Sequence, residues 1–338
     1  MTSRLRLVIA AALTIVLLGG ATVYGIVAFS GYQARQNAPS QVDTTTAPAV
    51  DTFSRIVFRN TATGAGYGLE SSVPLADLGG TRAVGTVACD RVYSTAKFSM
   101  CLRIDRGVLT TFSATLYDAK WRAKTAWALP GIPSRTRISA DSKLVAFTSF
   151  VTGESYGAVG FATATQISTT DGTDYGNLEA FALMIGGQRN TAADRNFWGV
   201  TFSTDDNVFY ATAATGGHTW LVRGDLAART LTPVTQTAEC PSISPDGAHI
   251  AYKKNVSSSA TAYWSIAVLD VATGGEKLLP EKRSVDDQVD WLDDSTLLYG
   301  VPRTDSPGDS DIWSIPSDGS GAGSRLIQHA WSPSVVRE

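Results

Sequence analysis

Residues 240–253 read CPSISPDGAHIAYK, and weaker copies of this stretch recur along the chain. Residues 244–247 (SPDG) predict a tight turn, because proline fixes φ and glycine accepts a left-handed backbone. Short alternating apolar runs flank the turn on both sides. The stretch therefore predicts a β-hairpin, and its copies decide the fold.

The copies are regularly spaced. They occur, some of them weakly, at residues 92–102, 137–150, 200–210, 289–299 and 330–336. Measured at the turn serine or its equivalent, the six markers fall at positions 94, 139, 203, 244, 292 and 332, with gaps between 40 and 64 residues. A period of about 40 to 50 residues is typical of four-stranded propeller blades. The pattern predicts an all-β, six-bladed β-propeller.

The two ends of the globular part complement each other. Residues 55–84 predict strands without a preceding marker, and residues 330–336 form a marker without following strands. We expect the carboxyl-terminal strand to be the inner strand of one blade and residues 55–84 its outer strands, which closes the ring. The other blades are predicted at residues 85–131, 132–196, 197–239, 240–284 and 285–329.

The predicted second blade is the longest. It carries roughly 20 residues beyond the period, including residues 176–190 (GNLEAFALMIGGQRN). Such a segment is either a binding insertion or a lengthened outer hairpin. The 64-residue gap also leaves open a degenerate seventh blade.

Composition limits the class of protein. The 338 residues are 43% hydrophobic and 17% charged, enough for a sizeable core. The formal net charge is −3 and no long basic block occurs, which argues against a nucleic-acid partner.

The amino-terminal segment predicts a membrane anchor. Residues 7–29 are 23 uncharged, mostly apolar residues, which span roughly 34 Å as a helix. Arg4 and Arg6 precede them, so the positive-inside rule places residues 1–6 in the cytoplasm and the rest outside the plasma membrane. Residues 30–52 are rich in Thr, Ala, Pro and Gln and predict a flexible linker. The propeller then covers residues 53–338.

Two of the three cysteines suggest a disulfide. Cys89 and Cys101 lie symmetrically about Thr95, the centre of the first marker hairpin, so they would face each other across its strands. An oxidising compartment outside the membrane would permit the bond. The alternative is two buried thiols. Cys240 has no candidate partner.

The quoted repeats resemble a known family. SISPDGAHIAY with WSIAVLDVATGG, and SDIWSIPSDGSG near the end, resemble the PD40-type repeats of TolB-like β-propeller proteins. The resemblance covers residues 53–338 and is strongest over 197–330; a single anchoring helix resembles the actinobacterial type. It implies a non-enzymatic extracytoplasmic propeller that binds proteins. The membrane anchor and the missing α/β domain differ from the family's namesake.

No catalytic or metal motif stands out. GxSxG, HExxH, P-loop and EF-hand patterns do not occur in the sequence, and the histidines His218, His249 and His329 fall in different predicted blades. The acidic residues of 286–294 could bind calcium, but their order matches no known loop and turn formation explains part of them. We expect no catalytic residues, no metal and no cofactor.

Propeller geometry indicates where binding would occur. The loop leading into each inner strand forms a rim around the channel, and aligning the markers places there Asp90, Arg135, Trp198, Glu239, Asp287 and His329, with Arg137 and Asp290 slightly deeper. Mixed charges and one exposed indole would suit the end of a peptide or protein. Alternatively, these residues pair with one another across the channel.

These observations lead to a hypothesis with two alternatives. The protein would be a single-pass, extracytoplasmic scaffold or adaptor that binds envelope or membrane proteins. The first alternative is a hydrolase or lyase with its site in the central funnel. The second is an envelope sensor that binds a small ligand or sugar.

Overall fold

A computed structural model describes residues 3–48, 53–151 and 162–338 as one helix followed by a six-bladed β-propeller, which confirms the predicted fold. Helix α1 spans Ser3–Gln36. Its residues Ser3–Gly31 are long and apolar enough to cross a membrane, and none of the apolar window is buried. The hydroxyls of Thr14 and Thr22 donate to carbonyl groups four residues earlier. These polar side chains are therefore satisfied within the helix, as a lipid environment requires.

The strands follow the helix along the chain. The first of them are β1 (Thr44–Thr46), β2 (Arg55–Asn60), β3 (Leu69–Pro74), β4 (Arg82–Ala88), β5 (Arg91–Ser94), β6 (Phe98–Arg106), β7 (Thr110–Asp118), β8 (Ala123–Ala128), β9 (Gly131–Ile138), β10 (Leu144–Val151), β11 (Ala162–Thr169), β12 (Asp174–Asn177), β13 (Ala182–Ile185) and β14 (Gln188–Arg189). They continue with β15 (Asn196–Phe202), β16 (Val208–Thr215), β17 (His218–Asp225), β18 (Thr230–Gln236), β19 (Glu239–Ile243), β20 (His249–Asn255), β21 (Trp264–Asp270), β22 (Glu276–Leu278), β23 (Asp290–Asp293), β24 (Thr296–Pro302), β25 (Ser310–Pro316), β26 (Ser324–Ile327) and β27 (Ala330–Val336).

Four blades are simple antiparallel sheets of four strands, each with its first strand at the channel. The first blade is β5 to β8, the second β9 to β12, the fourth β19 to β22 and the fifth β23 to β26. The third blade contains β15 to β18 and two additional strands, β13 and β14.

The closing blade joins the two ends of the propeller. Its strand order is β1-β4-β3-β2-β27, and β27 pairs antiparallel with β2, so that Val336 lies opposite Arg55. The Arg55 guanidinium also forms an ion pair with Glu338, 3.0 Å from Nη1 to Oε1. The expected closure by the carboxyl-terminal strand is therefore confirmed.

The predicted linker is partly ordered on the propeller. Helix α1 continues to Gln36, and β1 pairs in parallel with β4 at the outer edge of the closing blade. The backbone N–H of Ala65 donates to the Ala38 carbonyl at 2.8 Å, and that of Ala47 to Val84 at 2.9 Å. The flexible-linker prediction was wrong for this part because a free sheet edge offers unpaired backbone groups, which the threonine segment satisfies.

The long segment predicted in the second blade crosses to the third blade. After β12 and a short 3₁₀ turn, β13 crosses to the third blade and pairs in parallel with β18, and β14 folds back on it. Leu178, Phe181 and Leu183 are fully buried between the two blades, and the Phe181 and Phe209 rings meet edge to face at 6.1 Å. The segment thus extends the third blade, and the described residues form six blades.

The repeated serine-containing turns have a common structure. In the fourth blade Ser244 Oγ accepts a hydrogen bond from the His249 N–H at 2.9 Å, and Gly247 has a φ of 74°. In the second blade Ser139 Oγ accepts from the Leu144 N–H, also at 2.9 Å. The sixth marker differs, because Ser332 lies inside strand β27. Strand β27 ends at Val336, at the place where the other blades form the turn after their inner strand.

The hydrophobic core is a ring. Each of the six interfaces between neighbouring blades carries a cluster of buried apolar side chains. Met100 and Phe147 belong to the cluster between the first two blades, and Tyr252 and Leu221 to the one between the third and fourth. Because the apolar side chains pack between blades, the centre of the molecule is available for polar groups.

The disulfide between Cys89 and Cys101 is present, with a Cα–Cα distance of 5.4 Å. Its position in the hairpin differs from the symmetric one expected, since Cys101 pairs with Val92 in the strand register. Cys89 lies just before β5, and its disulfide partner Cys101 lies on β6. The bond therefore fixes the approach to the first inner strand.

Candidate functional site

The channel is lined by the inner strands β5, β9, β15, β19, β23 and β27. We call the end where these strands begin the upper mouth and the end where they finish the lower mouth. Several inner strands contain a bulge, where Cys240 and Ser332 adopt left-handed φ values of 52° and 57°. Bulges bend a strand and redirect the side chains that follow, so they shape the channel lining.

The upper mouth is closed by charged side chains that pair across the channel. Asp287, which is only 2% exposed, lies in the loop before β23. Its Oδ1 is 2.9 Å from Arg91 Nη1 of the first blade and 3.6 Å from Arg135 Nη2 of the second. Arg91 also lies over the Trp331 ring at 4.9 Å. One carboxylate therefore joins three blades.

A second group at the upper mouth centres on Lys253. Its Nζ lies 2.5 Å from Asp286 Oδ1, 3.4 Å from Glu239 Oε2 and 4.0 Å from the centre of the Trp264 ring. Burial raises the pKa of Glu239 even though Lys253 opposes that shift. Burial acts in the same direction on Asp286, but Lys253 and Arg135 outweigh it and lower the pKa of Asp286. These charges are used for pairing within the protein.

Little space remains inside the upper mouth. The cavity beside Arg91, Arg135, Asp287 and Gln288 measures about 10 Å³. This is about the volume that one water molecule needs. This cavity therefore does not admit an organic ligand in this conformation.

Arg137 and Asp290 lie deeper and form the floor of the lower mouth. Arg137 Nη2 is 3.9 Å from Asp290 Oδ1 and donates to the Val289 carbonyl at 2.5 Å. The Arg137 guanidinium stacks on the Tyr93 ring at 4.6 Å. Burial raises the pKa of Asp290 despite the attraction of Arg137. The floor is thus a buried, loosely paired arginine and carboxylate.

A larger cavity opens at the lower mouth. Its volume is about 320 Å³, and the ends of the inner strands and the turns that follow them line it. Phe202, Trp291 and Ile243 supply apolar surface above the charged floor, and Lys97 and Arg337 lie among its lining residues. The cavity therefore combines an apolar wall with polar groups, as ligand sites generally do.

Contacts between blades hold the lining turns in place. The hydroxyls of Thr95 and Ser142 are 2.8 Å apart and link the first two blades. The Asp246 N–H donates to Asp294 Oδ1 at 2.9 Å and links the fourth and fifth. Lys143 Nζ lies 2.5 Å from Asp206 Oδ2 between the second and third. The lower mouth is therefore largely preformed.

The structure brings together five of the eight predicted rim residues. Those five lie in the channel groups just described, and they are Arg135, Arg137, Glu239, Asp287 and Asp290. Arg135 pairs with Asp287 and Arg137 with Asp290, which is the alternative that the sequence left open. The predicted location was the upper mouth, whereas the larger of the two cavities inside the channel lies at the lower one.

The other three predicted residues lie elsewhere. Trp198 is only 4% exposed and packs with Ala214 and Cys240, so the expected exposed indole is wrong. Asp90 accepts the Ile104 N–H at 2.7 Å on its own blade. His329 Nδ1 lies 2.6 Å from Asp309 Oδ2, between the closing and fifth blades.

Several lining residues were not predicted. Tyr93, Thr201, Phe202, Ser242 and Trp291 line the lower cavity. A signal for them exists in the repeats, because each lies one or two residues before a marker position. The predicted rim residues lie instead at or near the loops that lead into the inner strands.

No group of three or more His, Cys, Asp or Glu side chains suited to a metal occurs in the described parts of the chain. The acidic residues of 286–294 have other contacts. Asp293 Oδ1 accepts the Ser295 N–H at 2.8 Å, and Asp294 accepts from Asp246. Turn formation and ion pairing account for them.

Comparison with known proteins supports the fold. No protein-family profile and no curated protein sequence matches the chain. A protein from Agrobacterium tumefaciens assigned as TolB is similar over 83% of this chain and 92% of its own, with 13% identity and a TM-score of 0.51. A chain of a nidogen/laminin complex is similar over 83% and 98%, with 10% identity and a TM-score of 0.54. A periplasmic gluconolactonase from Pseudomonas aeruginosa covers 84% and 99%, with 11% identity and a TM-score of 0.46. The similarity to the Agrobacterium protein supports a TolB-like β-propeller fold, and the six blades are those seen in this chain.

Proposed function

We propose that this protein is a membrane-anchored, extracytoplasmic binding module that takes an exposed segment of another envelope protein into its lower mouth. The observation that carries the proposal is the preformed cavity of about 320 Å³ at that mouth. Its apolar wall and buried charge pair suit a protruding side chain or chain end, with aromatic and arginine side chains as anchors.

The amino-terminal helix supports the membrane part of the proposal. An uncharged span preceded by Arg4 and Arg6 favours an uncleaved anchor with a cytoplasmic amino terminus. The propeller is then outside, where a disulfide such as Cys89–Cys101 persists.

The placement of the histidines favours binding over hydrolysis or elimination. His329 is paired with Asp309 on the other side of the ring, His218 lies on β17, and His249 lies beside the Trp291 ring. None of the three lines the lower cavity. The cavity's hydroxyl groups therefore have no histidine base beside them.

The experiment is photo-crosslinking in cells. A photoreactive residue replaces Lys97 at the lower cavity and, as control, Lys277 on the outer strand β22. We expect a discrete protein to be captured from position 97 and not from position 277. Thr204→Trp, which fills the exposed edge of the cavity, should abolish the capture, whereas Thr261→Trp in a distant exposed loop should not.

Three results would contradict this function. Capture of the same diffuse set of proteins from both positions would count against protein binding. A thermal shift caused by a sugar or another small ligand, lost in Thr204→Trp, would instead support the sensor alternative, and turnover of such a ligand would support an enzyme.

A further inference from the structure

Two apolar side chains protrude at the tip of the β6–β7 hairpin. Val108 is fully exposed and Leu109 is 82% exposed, the highest values among the large apolar side chains in the described part of the propeller. Hairpin tips are usually built from Gly, Asn, Asp, Pro and Ser. An apolar pair at such a tip therefore indicates a surface that is covered when the protein is in its working environment.

The hairpin carries this tip beyond the start of its inner strand. Strand β5 begins with Arg91, which lies opposite Leu102, whereas β6 and β7 continue as far as the pair Arg106 and Thr110. Four further residues of strand extend about 13 Å. Because β6 runs from the lower mouth towards the upper mouth, the tip projects on the side of the propeller at the upper mouth. We call this the upper side.

The end of helix α1 is held on the same side. Strand β2 pairs antiparallel with β27 and therefore ends at the upper mouth, so the loop that follows it, residues 61–68, lies on the upper side. In this loop the Ala65 N–H donates to the Ala38 carbonyl at 2.8 Å, two residues after the helix ends at Gln36. A Cβ at Gly64 would lie 2.5 Å from the same carbonyl oxygen, so glycine permits the contact.

This contact determines which side of the propeller is near the bilayer. The apolar span ends at Phe29, and the helix continues over residues 30–36, which is about 10 Å. Lipid headgroups extend roughly 5 to 7 Å beyond each face of the hydrocarbon core. The upper side therefore lies next to the headgroups, at a distance that the projecting hairpin can span.

The hairpin also lies in the blade next to the one that holds the helix. The Ser94 N–H of β5 donates to Ser334 Oγ of β27 at 3.0 Å, so the first blade adjoins the closing blade. The tip and the end of α1 are therefore neighbours on the upper side, and the bilayer that anchors α1 is the nearest surface for the tip.

The charges beside the tip do not select its occupant. Arg106 pairs with Asp90 at 3.4 Å, and Arg103 pairs with Asp105 at 2.7 Å. These arginines and carboxylates balance, so no net charge attracts an ion or a charged chain. The attraction must come from the apolar side chains, which are stabilised when they leave water for the boundary between headgroups and acyl chains.

We propose that Val108 and Leu109 insert into the interfacial region of the membrane that anchors α1, so that the propeller rests on the bilayer with its upper side. This inference rests on the membrane anchor of the proposed function and deepens it. The lower mouth then faces away from the bilayer, and its partner approaches from the aqueous side.

The test is fluorescence quenching on the full chain in phosphatidylcholine nanodiscs. A Cys240→Ala background keeps the disulfide, and a nitrobenzoxadiazole label is attached without reductant to Val108→Cys. We expect lipids with a doxyl group near the headgroup to reduce its emission about twofold. Val271→Cys is the matched control, because Val271 is an exposed valine in the β21–β22 turn on the lower side, and its label should not be quenched. A label at Leu17→Cys, in the middle of the apolar span, reports insertion of the anchor itself.

A second substitution tests the apolar side chain. Leu109→Asp should lower the quenching at position 108 by at least about twofold, because a carboxylate is costly to place among the acyl chains. Leu278→Asp makes the same change at an exposed leucine on the outer strand β22 and should leave the quenching unchanged.

Four outcomes would overturn the proposal. Quenching at position 17 but not at position 108 would exclude the membrane contact and leave the anchor and the lower-mouth binding intact. The absence of quenching at both positions would exclude the anchor and, with it, this orientation. Blue-shifted emission at position 108 without quenching would mean that a protein surface, such as a second copy of the chain, covers the tip. Quenching only in nanodiscs with anionic lipid would replace apolar insertion by electrostatic attraction.

Discussion

Among individual residues, the buried charges of the channel matter most, because they neutralise one another. Asp287 has two cationic partners from different blades, and its remaining oxygen is buried without a hydrogen-bond partner among the described protein atoms. Removing one member of such a group leaves an uncompensated charge, which costs more than the pair itself contributes. The upper mouth is therefore sensitive to single substitutions.

Asp287→Asn should lower the free energy of unfolding by about 3 kcal/mol, because Arg91 and Arg135 would lose their shared carboxylate. Urea unfolding of the full chain in micelles, followed by tryptophan fluorescence, measures this. Asp305→Asn is the control, since Asp305 is 73% exposed and should change the stability by less than about 1 kcal/mol. Equal effects of the two substitutions would contradict the assigned role of Asp287.

Glu70 provides a pH-dependent prediction. It is 4% exposed, and burial raises its pKa to about 7 although the Thr86 and Val87 N–H groups donate to it. The folded state then binds more protons than the unfolded state between pH 4.5 and about 7. The contribution of Glu70 to stability is therefore largest below that window and falls as the pH rises through it.

Glu70→Gln should remove this contribution to the pH dependence. We expect the wild type to lose about 3 kcal/mol more than the variant between pH 4.5 and pH 8, at about 1.4 kcal/mol per unit of pKa shift. Urea unfolding at pH 4.5, 6 and 8 gives the two slopes. Parallel slopes for the two proteins would rule out a titration of Glu70 in this range.

Among the elements, hairpins and added edge strands organise the propeller. The serine turn recurs because the serine hydroxyl accepts a hydrogen bond from the backbone N–H of the first residue of the next strand. The edges of two blades receive further strands, β1 on β4 and β13 on β18. Covering an edge in this way protects it from pairing with other chains. The disulfide fixes the segment that leads into β5.

Replacing both Cys89 and Cys101 by alanine should lower the free energy of unfolding by about 2 to 3 kcal/mol, through the entropy of the unfolded chain. The bond closes a short loop, with a sequence separation of 12 residues. Urea unfolding of variant and wild type measures the loss, and reduction of the wild type should reproduce it. Cys240→Ala is the control, because this variant keeps the disulfide. The reductant should therefore still lower its stability.

For the molecule as a whole, stability depends on ring closure. Strand β27 pairs with β2, and its neighbours in the channel belong to the first and fifth blades. The Ser94 N–H donates to Ser334 Oγ at 3.0 Å and the Val335 N–H to Asp290 Oδ2 at 3.3 Å. One strand therefore connects three blades.

Removing residues 329–338 should abolish cooperative unfolding, because β2 loses its partner and two blades lose their inner-strand contacts. A synthetic peptide of residues 329–338 added to the shortened chain should restore part of the transition. Circular dichroism during thermal unfolding measures both effects. A cooperative transition unchanged by the deletion would show that the remaining blades are stable without closure.

Local sequence patterns were sufficient to predict the architecture. The hairpin repeats, the complementary ends, the apolar amino-terminal span and the Cys89 and Cys101 pair were enough for six blades, their closure, one helix and the disulfide. These features depend on alternation, turn residues and short spacings, which act over a few residues. Local physical rules are therefore enough to predict these features.

Which mouth is open depends on contacts that form only in the folded ring. The Arg91 and Asp287 side chains that fill the upper mouth are separated by 196 residues, and they meet because the ring brings the first and fifth blades together. The burial of Trp198 and the docking of β1 on β4 likewise depend on neighbours distant in sequence. A repeat pattern assigns each residue to a position in its blade, but side-chain packing across the channel determines whether that position holds a ligand or an internal partner.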